Sequence, residues 1–278
     1  MSGGFVDLHT HSTRSDGSST PTEVVERAAG LGLEVISLTD HDSVEGVEEA
    51  MSAAERLGVK MVAGAELSAH QDKRDIHILA YFVNLAHKPF RERLQMYRDE
   101  RQNRAARIVK KLNSMGIRIT FEQVVAKADG GAIGRPHVAD VLVEEGFCFS
   151  SNEAFNKYLG YGKPAYQAKY LMDPSEAVEV IHDAGGIAVI AHPVLYGDDG
   201  LLTGLVSAGV DGIEVFHIKH TPTHVERYGT FARENGLLVS GGSDCHGDGR
   251  GQAVMGTVPV PRSVYDDLAE GWRSRVSV

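Results

Sequence analysis

Cysteine is almost missing from this chain of 278 residues: Cys148 and Cys245 are the only two. A disulfide framework and a cysteine-built zinc site are therefore excluded. Two lone thiols fit a reducing compartment. No apolar run reaches the roughly 18–20 residues of a membrane-spanning helix, so no membrane partner is expected. The stretch Met1-Ser2-Gly3-Gly4-Phe5-Val6-Asp7 lacks the basic start and apolar stretch of a secretion signal, and a cytoplasmic location is expected. Positive charge is also in short supply, with 28 Lys and Arg against 38 Asp and Glu and a net charge of −10. Stable binding to duplex nucleic acid needs a basic footprint and is not expected.

The charge is uneven. Ten Lys and Arg against Glu92, Asp99 and Glu100 give Lys88–Arg118 a local +7, which leaves −17 on the remainder. Short apolar segments at Phe5–Leu8, Val35–Leu38, Met61–Ala65, Ile76–Phe82, Ile187–Ala191, Gly212–Phe216 and Leu237–Ser240 read as strands alternating with helices, the pattern of a parallel α/β sheet or barrel. Thr20-Pro21-Thr22-Glu23 and Asp173-Pro174-Ser175-Glu176 open helices, and Gly32 and Gly185-Gly186 close them. Seven strands predict a (β/α)7-type barrel; an eight-stranded barrel or an open sheet would read similarly. The alternation stops between about residues 85 and 165, where helices are expected near Pro89–Met115, Phe121–Ala128, Pro136–Glu145 and Asn152–Leu159. The expected division is a barrel made of 1–85 and 165–278, with 86–164 a helical insertion that caps one end.

Histidine is plentiful, at 13, and its placing matters more than its number. His9-Thr10-His11 follows the first strand. In an extended chain residues i and i+2 share a side, so both imidazoles can reach one cation; two solvated loop histidines are the alternative. The second strand ends in Thr39-Asp40-His41-Asp42, the third in Ala65-Glu66, the fifth in Ala191-His192-Pro193, and the seventh in Gly241-Gly242-Ser243-Asp244-Cys245-His246. In α/β barrels the chemistry sits at carboxyl strand ends. Five such ends carrying His, Asp or Glu point to metal binding, since unpaired buried imidazoles and carboxylates would otherwise be costly. His77 lies early in its strand, and the pattern leaves it open between ligand and packed core histidine.

His9-Thr10-His11 with Asp16-Gly17, Thr39-Asp40-His41-Asp42, Glu66, His77, His192-Pro193 and Ser243-Asp244-Cys245-His246 together resemble the PHP (polymerase and histidinol phosphatase) family of metal-dependent phosphoesterases. The resemblance implies a distorted (β/α)7 barrel with a centre of two or three divalent metal ions. One ion would take His9, His11, Glu66 and Asp244. A second would share Glu66 and take His77 and His192. A third would take Asp16, His41 and His246; some family members have histidine where Asp16 stands. Gly134-Arg135-Pro136-His137 and Tyr161-Gly162-Lys163-Pro164-Ala165-Tyr166 resemble the branch acting on nucleoside 3′,5′-bisphosphates and on 5′ ends of short RNA.

A mixed nitrogen and oxygen set without cysteine suits Mn²⁺, Fe²⁺ or Zn²⁺, with manganese favoured. Three such ions would bring +6 against the −3 of Asp16, Glu66 and Asp244, giving a locally cationic centre in an acidic chain. The expected reaction is in-line hydrolysis of a phosphoester. His217, just past the sixth strand, is the candidate proton donor to the leaving oxygen, with a surface histidine as the alternative. Asp40 and Asp42 are expected to orient imidazoles. Arg135, His137 and Lys163 are candidates for a second phosphate, with solvated loop cations as the alternative. Arg101 and Arg104 lie on or beside the apolar stripe of the long helix and would face substrate or pair with carboxylates. The runner-up activity is a phosphatase of a small phosphomonoester such as histidinol phosphate. A non-catalytic metal- or nucleotide-binding barrel is the third reading.

Overall fold

The computed structural model describes residues 5–71, 74–128, 133–168, 172–247 and 254–276. Residues 1–4, 72–73, 169–171, 248–253 and 277–278 of the expected barrel, and 129–132 of the expected insertion, lie outside the described residues. The chain divides into two compact units, Met1–Arg93 with Leu171–Val278, and Leu94–Tyr170. Among the described residues no helix is long and apolar enough to cross a membrane.

Among the described residues the first unit contains eight strands: β1 Phe5–Thr10, β2 Val35–Leu38, β3 Lys60–Gln71, β4 Arg74–Tyr81, β5 Ile187–Ile190, β6 Gly212–His217, β7 Leu238–Gly242 and β8 Val260–Pro261. They form one sheet in the order β7-β6-β5-β4-β3-β2-β1-β8. The sheet curls until β7 meets β1. There the His11 N–H donates to the Cys245 carbonyl and the Asp244 N–H to the His9 carbonyl, both at 2.9 Å. This near-closed barrel is the distorted α/β barrel expected from the sequence, and the helical segments lie between β4 and β5 as expected.

Two details differ from that expectation. The eighth strand is a two-residue segment antiparallel to β1, too short to leave a pattern. The strands are also not all parallel, because β4 runs antiparallel to both β3 and β5. Only two residues separate β3 from β4, whereas a parallel crossover takes a dozen or more.

Helices α1 Pro21–Gly30 and α2 Val47–Leu57 pack Val25, Ala28, Ala50 and Ala53 on Ile36 and Leu38 of β2. The start of α1 is fixed as its sequence dictates: the Glu23 N–H donates to the Thr20 hydroxyl, and the Thr20 N–H to the Glu23 carboxylate. One barrel end is apolar. Val6, Val35, Val62 and Ile187, from the starts of their strands, cluster with Tyr81, from the end of reversed β4, and with Tyr265 and Leu268 of the last helix, Arg262–Val276. The histidines and carboxylates lie at the other ends of those strands.

The second unit holds most of α3 (Lys88–Ser114), then α4 Phe121–Ala128, α5 Arg135–Glu144 and α6 Ser151–Ala154, which continues as a π turn over Phe155–Leu159. Ile108, Leu112, Val124, Val138, Leu142 and Leu159 form its core. Met115, expected as the last residue of the long helix, lies past its end and is exposed. The Arg104 side chain donates to the Gln167 carbonyl at 3.0 Å.

Candidate metal centre

Glu66 is the hub. It is buried, and its Oε2 lies 3.3 Å from His9 Nε2, 3.2 Å from His11 Nε2 and 3.2 Å from His41 Nδ1. Its Oε1 lies 2.8 Å from His77 Nδ1 and 2.9 Å from His192 Nε2. Glu66 does not end its strand as the apolar run Met61–Ala65 suggests. β3 continues to Gln71 because β4 folds back along it, while β2 stops at Leu38 and leaves His41 free to bridge to Glu66.

A second carboxylate faces the same imidazoles. Asp244 Oδ1 is 3.4 Å from His9 Nε2, 3.2 Å from His11 Nε2 and 3.6 Å from His246 Nδ1. Asp16 Oδ1 lies 3.3 Å from His246 Nε2 and 3.8 Å from His11 Nδ1, and its Oδ2 lies 4.0 Å from His41 Nε2. Donor atoms gather into three groups, each within 4.8 Å: His9/His11/Glu66/Asp244, His11/Asp16/His41/His246, and His41/Glu66/His77. Eight of the nine residues named as ligands from the resemblance fall in these groups; the ninth, His192, stands outside them but lies 2.9 Å from Glu66 Oε1. The grouping is less partitioned than expected, since His11 and His41 each serve two groups.

Elementary electrostatics explains which ionic states this arrangement favours. Burial alone would raise the Glu66 carboxyl, but the imidazoles of His41, His77 and His9 hold it well below its usual range. Asp244 is likewise held low by His9 and His11 against its burial. Burial opposes a charge on His11, yet Asp244 and Glu66 push its imidazole up to about 10. Burial dominates at His41 and pushes it down to about 3.

The donor set passes a direct test for cations. His11 Nε2 and His41 Nδ1 are buried without a hydrogen-bond partner, although each lies 3.2 Å from Glu66 Oε2. Neither ring nitrogen is angled to donate to that oxygen, as expected of ligands converging on a shared ion. Nitrogen and carboxylate oxygen without sulfur suit a borderline divalent metal. Local strain adds to the picture: His192 and Asp244 both have positive φ, +26° and +55°, a cost usually tolerated where side chains must be aimed.

Asp40 and Asp42 hold the loops that carry the donors. Asp40 accepts from the Ser12 N–H at 2.7 Å, the Ser12 hydroxyl at 2.7 Å and the Ser15 hydroxyl at 2.6 Å. It fixes the loop before Asp16 and reaches His11 only through Ser15, which lies 3.5 Å from His11 Nδ1. Asp42 accepts from the Ser68 N–H at 2.9 Å. Glu214, which the sequence reading missed, is a carboxylate in direct contact with an imidazole. Its Oε1 accepts from His9 Nδ1 at 3.0 Å, and its Oε2 accepts the His192 N–H at 2.7 Å. That bond places the His9 proton on Nδ1 and turns Nε2 toward Glu66 and Asp244. The signal was present in the sequence, as an acidic residue inside the apolar strand Gly212-Ile213-Glu214-Val215.

His217 is buried, with Nε2 3.4 Å from Asp244 Oδ2. The register of β6 against β7 shifts between Glu214 and Phe216, and this bulge lets 214 and 217 both face the centre. The Lys219 N–H donates to His217 Nδ1 at 3.2 Å, which leaves the ring proton on Nε2.

In the second unit, the Arg135 guanidinium lies 5.6 Å from the Phe155 ring and 5.9 Å from the Tyr166 ring, with a bond of 3.4 Å to the Leu159 carbonyl. Lys163 is exposed. His137 is buried, and its Nδ1 accepts the Gly134 N–H at 3.1 Å, so this ring nitrogen caps α5.

Residues 7–170 match the family model described as the PHP domain. The chain is 38% identical over 245 residues to a 5′-3′ exoribonuclease of Haemophilus influenzae, covering 86% of this chain and 89% of that protein. It is 35% identical over 274 residues to a 3′,5′-nucleoside bisphosphate phosphatase of Chromobacterium violaceum, covering 95% and 96%. A solved structure described as a metal-dependent phosphoesterase from Bifidobacterium adolescentis superposes with a TM-score of 0.82 at 31% identity, over 98% of this chain and 97% of that one.

Proposed function

Because the chain belongs to the PHP domain family, we propose that it hydrolyses nucleotide phosphoesters, releasing the 3′-phosphate of nucleoside 3′,5′-bisphosphates and trimming short RNA from its 5′ end. It is a metal-dependent phosphoester hydrolase. The observation that carries this reading is the single carboxylate of Glu66, within 3.3 Å of five imidazoles from the ends of four strands. The proposed ligands are His9, His11, Asp16, His41, Glu66, His77, His192, Asp244 and His246, holding two or three divalent ions, with manganese favoured over iron and zinc. When bound, such ions supply Lewis-acid stabilisation of phosphoryl oxygens and lower the pKa of a water.

The chain's own groups do the remaining work. Three carboxylates bring the charge that retains the cations. Glu214 keeps His9 in one tautomer. His217, its proton on Nε2 beside Asp244, is the proposed donor to the leaving oxygen. Arg135 and Lys163 are proposed to bind the second phosphate, Arg135 through its planar fork. His137 supports that loop by capping α5. The insertion 86–164 is proposed to select the substrate, and the two free, buried thiols suit a reducing cytoplasm.

The test is a substrate panel on the manganese-loaded protein: a nucleoside 3′,5′-bisphosphate, a short 5′-phosphorylated RNA and histidinol phosphate. Phosphate or nucleotide release should be fastest from the first two. Faster turnover of histidinol phosphate would overturn the substrate class, and no release from any ester would overturn the reaction.

A further inference from the structure

Tyr196 belongs to none of the donor groups, yet its hydroxyl stands where two donor-bearing strands end. β4 and β5 pair antiparallel with Ile78 opposite Ile190, which places His77 opposite Ala191. The Ala191 N–H donates to the His77 carbonyl at 3.1 Å. Residues opposed in this way exchange two such bonds in a regular ladder. The second bond, from the His77 N–H to the Ala191 carbonyl, is replaced by a hydroxyl. Tyr196 Oη accepts the His77 N–H at 3.3 Å and donates to the Ala191 carbonyl at 2.7 Å, with the His77 carbonyl 3.0 Å away.

The inserted hydroxyl governs where two imidazoles go. After Ala191 the chain turns sharply at His192, with φ +26° and ψ 59°, and the short helix Pro193–Tyr196 returns the phenol to the rung. Arg74 pins that return, since its guanidinium donates to the Tyr196 carbonyl at 2.7 Å and pairs with Asp198 at 3.4 Å. The outcome is that His77 Nδ1 and His192 Nε2 lie 3.3 Å apart, both facing Glu66 Oε1. Without the hydroxyl the His77 N–H and the Ala191 carbonyl would either close into a direct bond or lose a partner in a buried place. Either change moves both imidazoles relative to Glu66.

We propose that the Tyr196 hydroxyl is a positioning group: standing in the last rung between β4 and β5, it sets the spacing of His77 and His192 and so the affinity of their site for a divalent cation. This rests on the reading of His77 and His192 as ligands. Tyr196→Phe keeps the buried ring and removes only the hydroxyl.

Metal-stripped protein is titrated with Mn²⁺, with free ion followed by electron paramagnetic resonance. Tyr196→Phe should weaken one Mn²⁺ site by about 10–100-fold, the usual effect of losing an outer support, and leave the others unchanged. In a His77→Ala background the same substitution should cost clearly less affinity than in the wild type, because part of its effect passes through that ligand; an undiminished cost there would overturn the proposal. Arg74→Met, at a partly exposed side chain, should weaken the same site by a smaller factor, and it decides the matter if the phenylalanine variant does not fold. Identical Mn²⁺ binding by wild type and Tyr196→Phe, or by wild type and Arg74→Met in that event, would overturn the proposal while the ligand reading stands. Absence of Mn²⁺ binding by the wild type would overturn the ligand reading itself.

Discussion

His77 Nδ1 lies 2.8 Å from Glu66 Oε1 although His77 sits near the amino end of its strand. The reversal of β4 makes this possible. Ser68, two residues past Glu66 on β3, is opposite His77 on β4, so the start of a reversed strand and the far part of its forward neighbour share one rim. A carboxylate that gathers imidazoles from both directions of travel is the structural reason for placing a cation cluster there.

Glu66→Gln should therefore abolish metal binding and hydrolysis together. The amide keeps the volume but removes the negative charge that five imidazole nitrogens face. Elemental analysis after dialysis should find at least one ion lost per chain, with turnover down by more than about 100-fold, as expected when a shared ligand is removed. Full metal content with full activity would contradict the hub role.

The sequence made the centre legible through residue type and position: His-x-His after β1, Asp-His-Asp after β2 and the acidic and imidazole groups after β7 stand at strand ends where a packed core would be apolar. His77 was ambiguous because strand direction is not written in a period-2 pattern; only the two-residue link between β3 and β4 reveals the reversal. His217 was legible as a histidine past a strand and Glu214 as an acid inside an apolar one, but that both face the centre depends on a register shift between them, which a period-2 pattern does not show. Tyr196 was hidden for another reason. Its part is played by one hydroxyl in a backbone ladder, and a lone tyrosine after a turn reads as ordinary core.

Gly242→Ala tests the seam that closes the barrel. A Cβ at this position would lie 2.4 Å from both the His9 main-chain nitrogen and the His9 Cβ. Neither can yield without moving β1 away from β7. Overpacking of this kind costs about 1–3 kcal/mol, or several degrees in unfolding temperature for a chain of this size. The same shift displaces His9 from Glu66 and Asp244, so weaker Mn²⁺ binding should accompany the lower unfolding temperature. A variant as stable as the wild type would show that the seam has slack.

The metal-stripped and metal-loaded proteins should respond to pH in opposite directions. The His11 imidazole is pushed up to about 10 in the fold, Asp244 and Glu66 outweighing its burial, against about 6.5 in the unfolded chain. A raised pKa of this sign stabilises the metal-free fold fully below 6.5, and the contribution fades as pH rises toward 10. Cation binding requires the neutral ring, so Mn²⁺ must displace a proton, and its affinity should climb from pH 6 to 9. Calorimetric titration at pH 8 in buffers of different ionisation enthalpy should register net proton release. Affinity independent of pH across that range would rule out this coupling.

Arg135→Ala separates the proposed phosphate clamp from the reaction centre. Arg135 lies over the rings of Phe155 and Tyr166, at 5.6 and 5.9 Å from their centroids, contacts that orient a guanidinium and limit the entropy it loses on meeting a phosphate. Removing one charge-assisted contact of this type costs about 1.5–3 kcal/mol, a KM increase of roughly 10–100-fold. The increase should appear for nucleoside 3′,5′-bisphosphates and be small for nucleoside 3′-monophosphates, with kcat little changed for either, because the contact is the same in the bound and reacting states. Steady-state kinetics on the two substrate types measures the difference. Equal losses on both would assign Arg135 to packing of the second unit, through its cation–π contacts with Phe155 and Tyr166, and remove it from substrate binding.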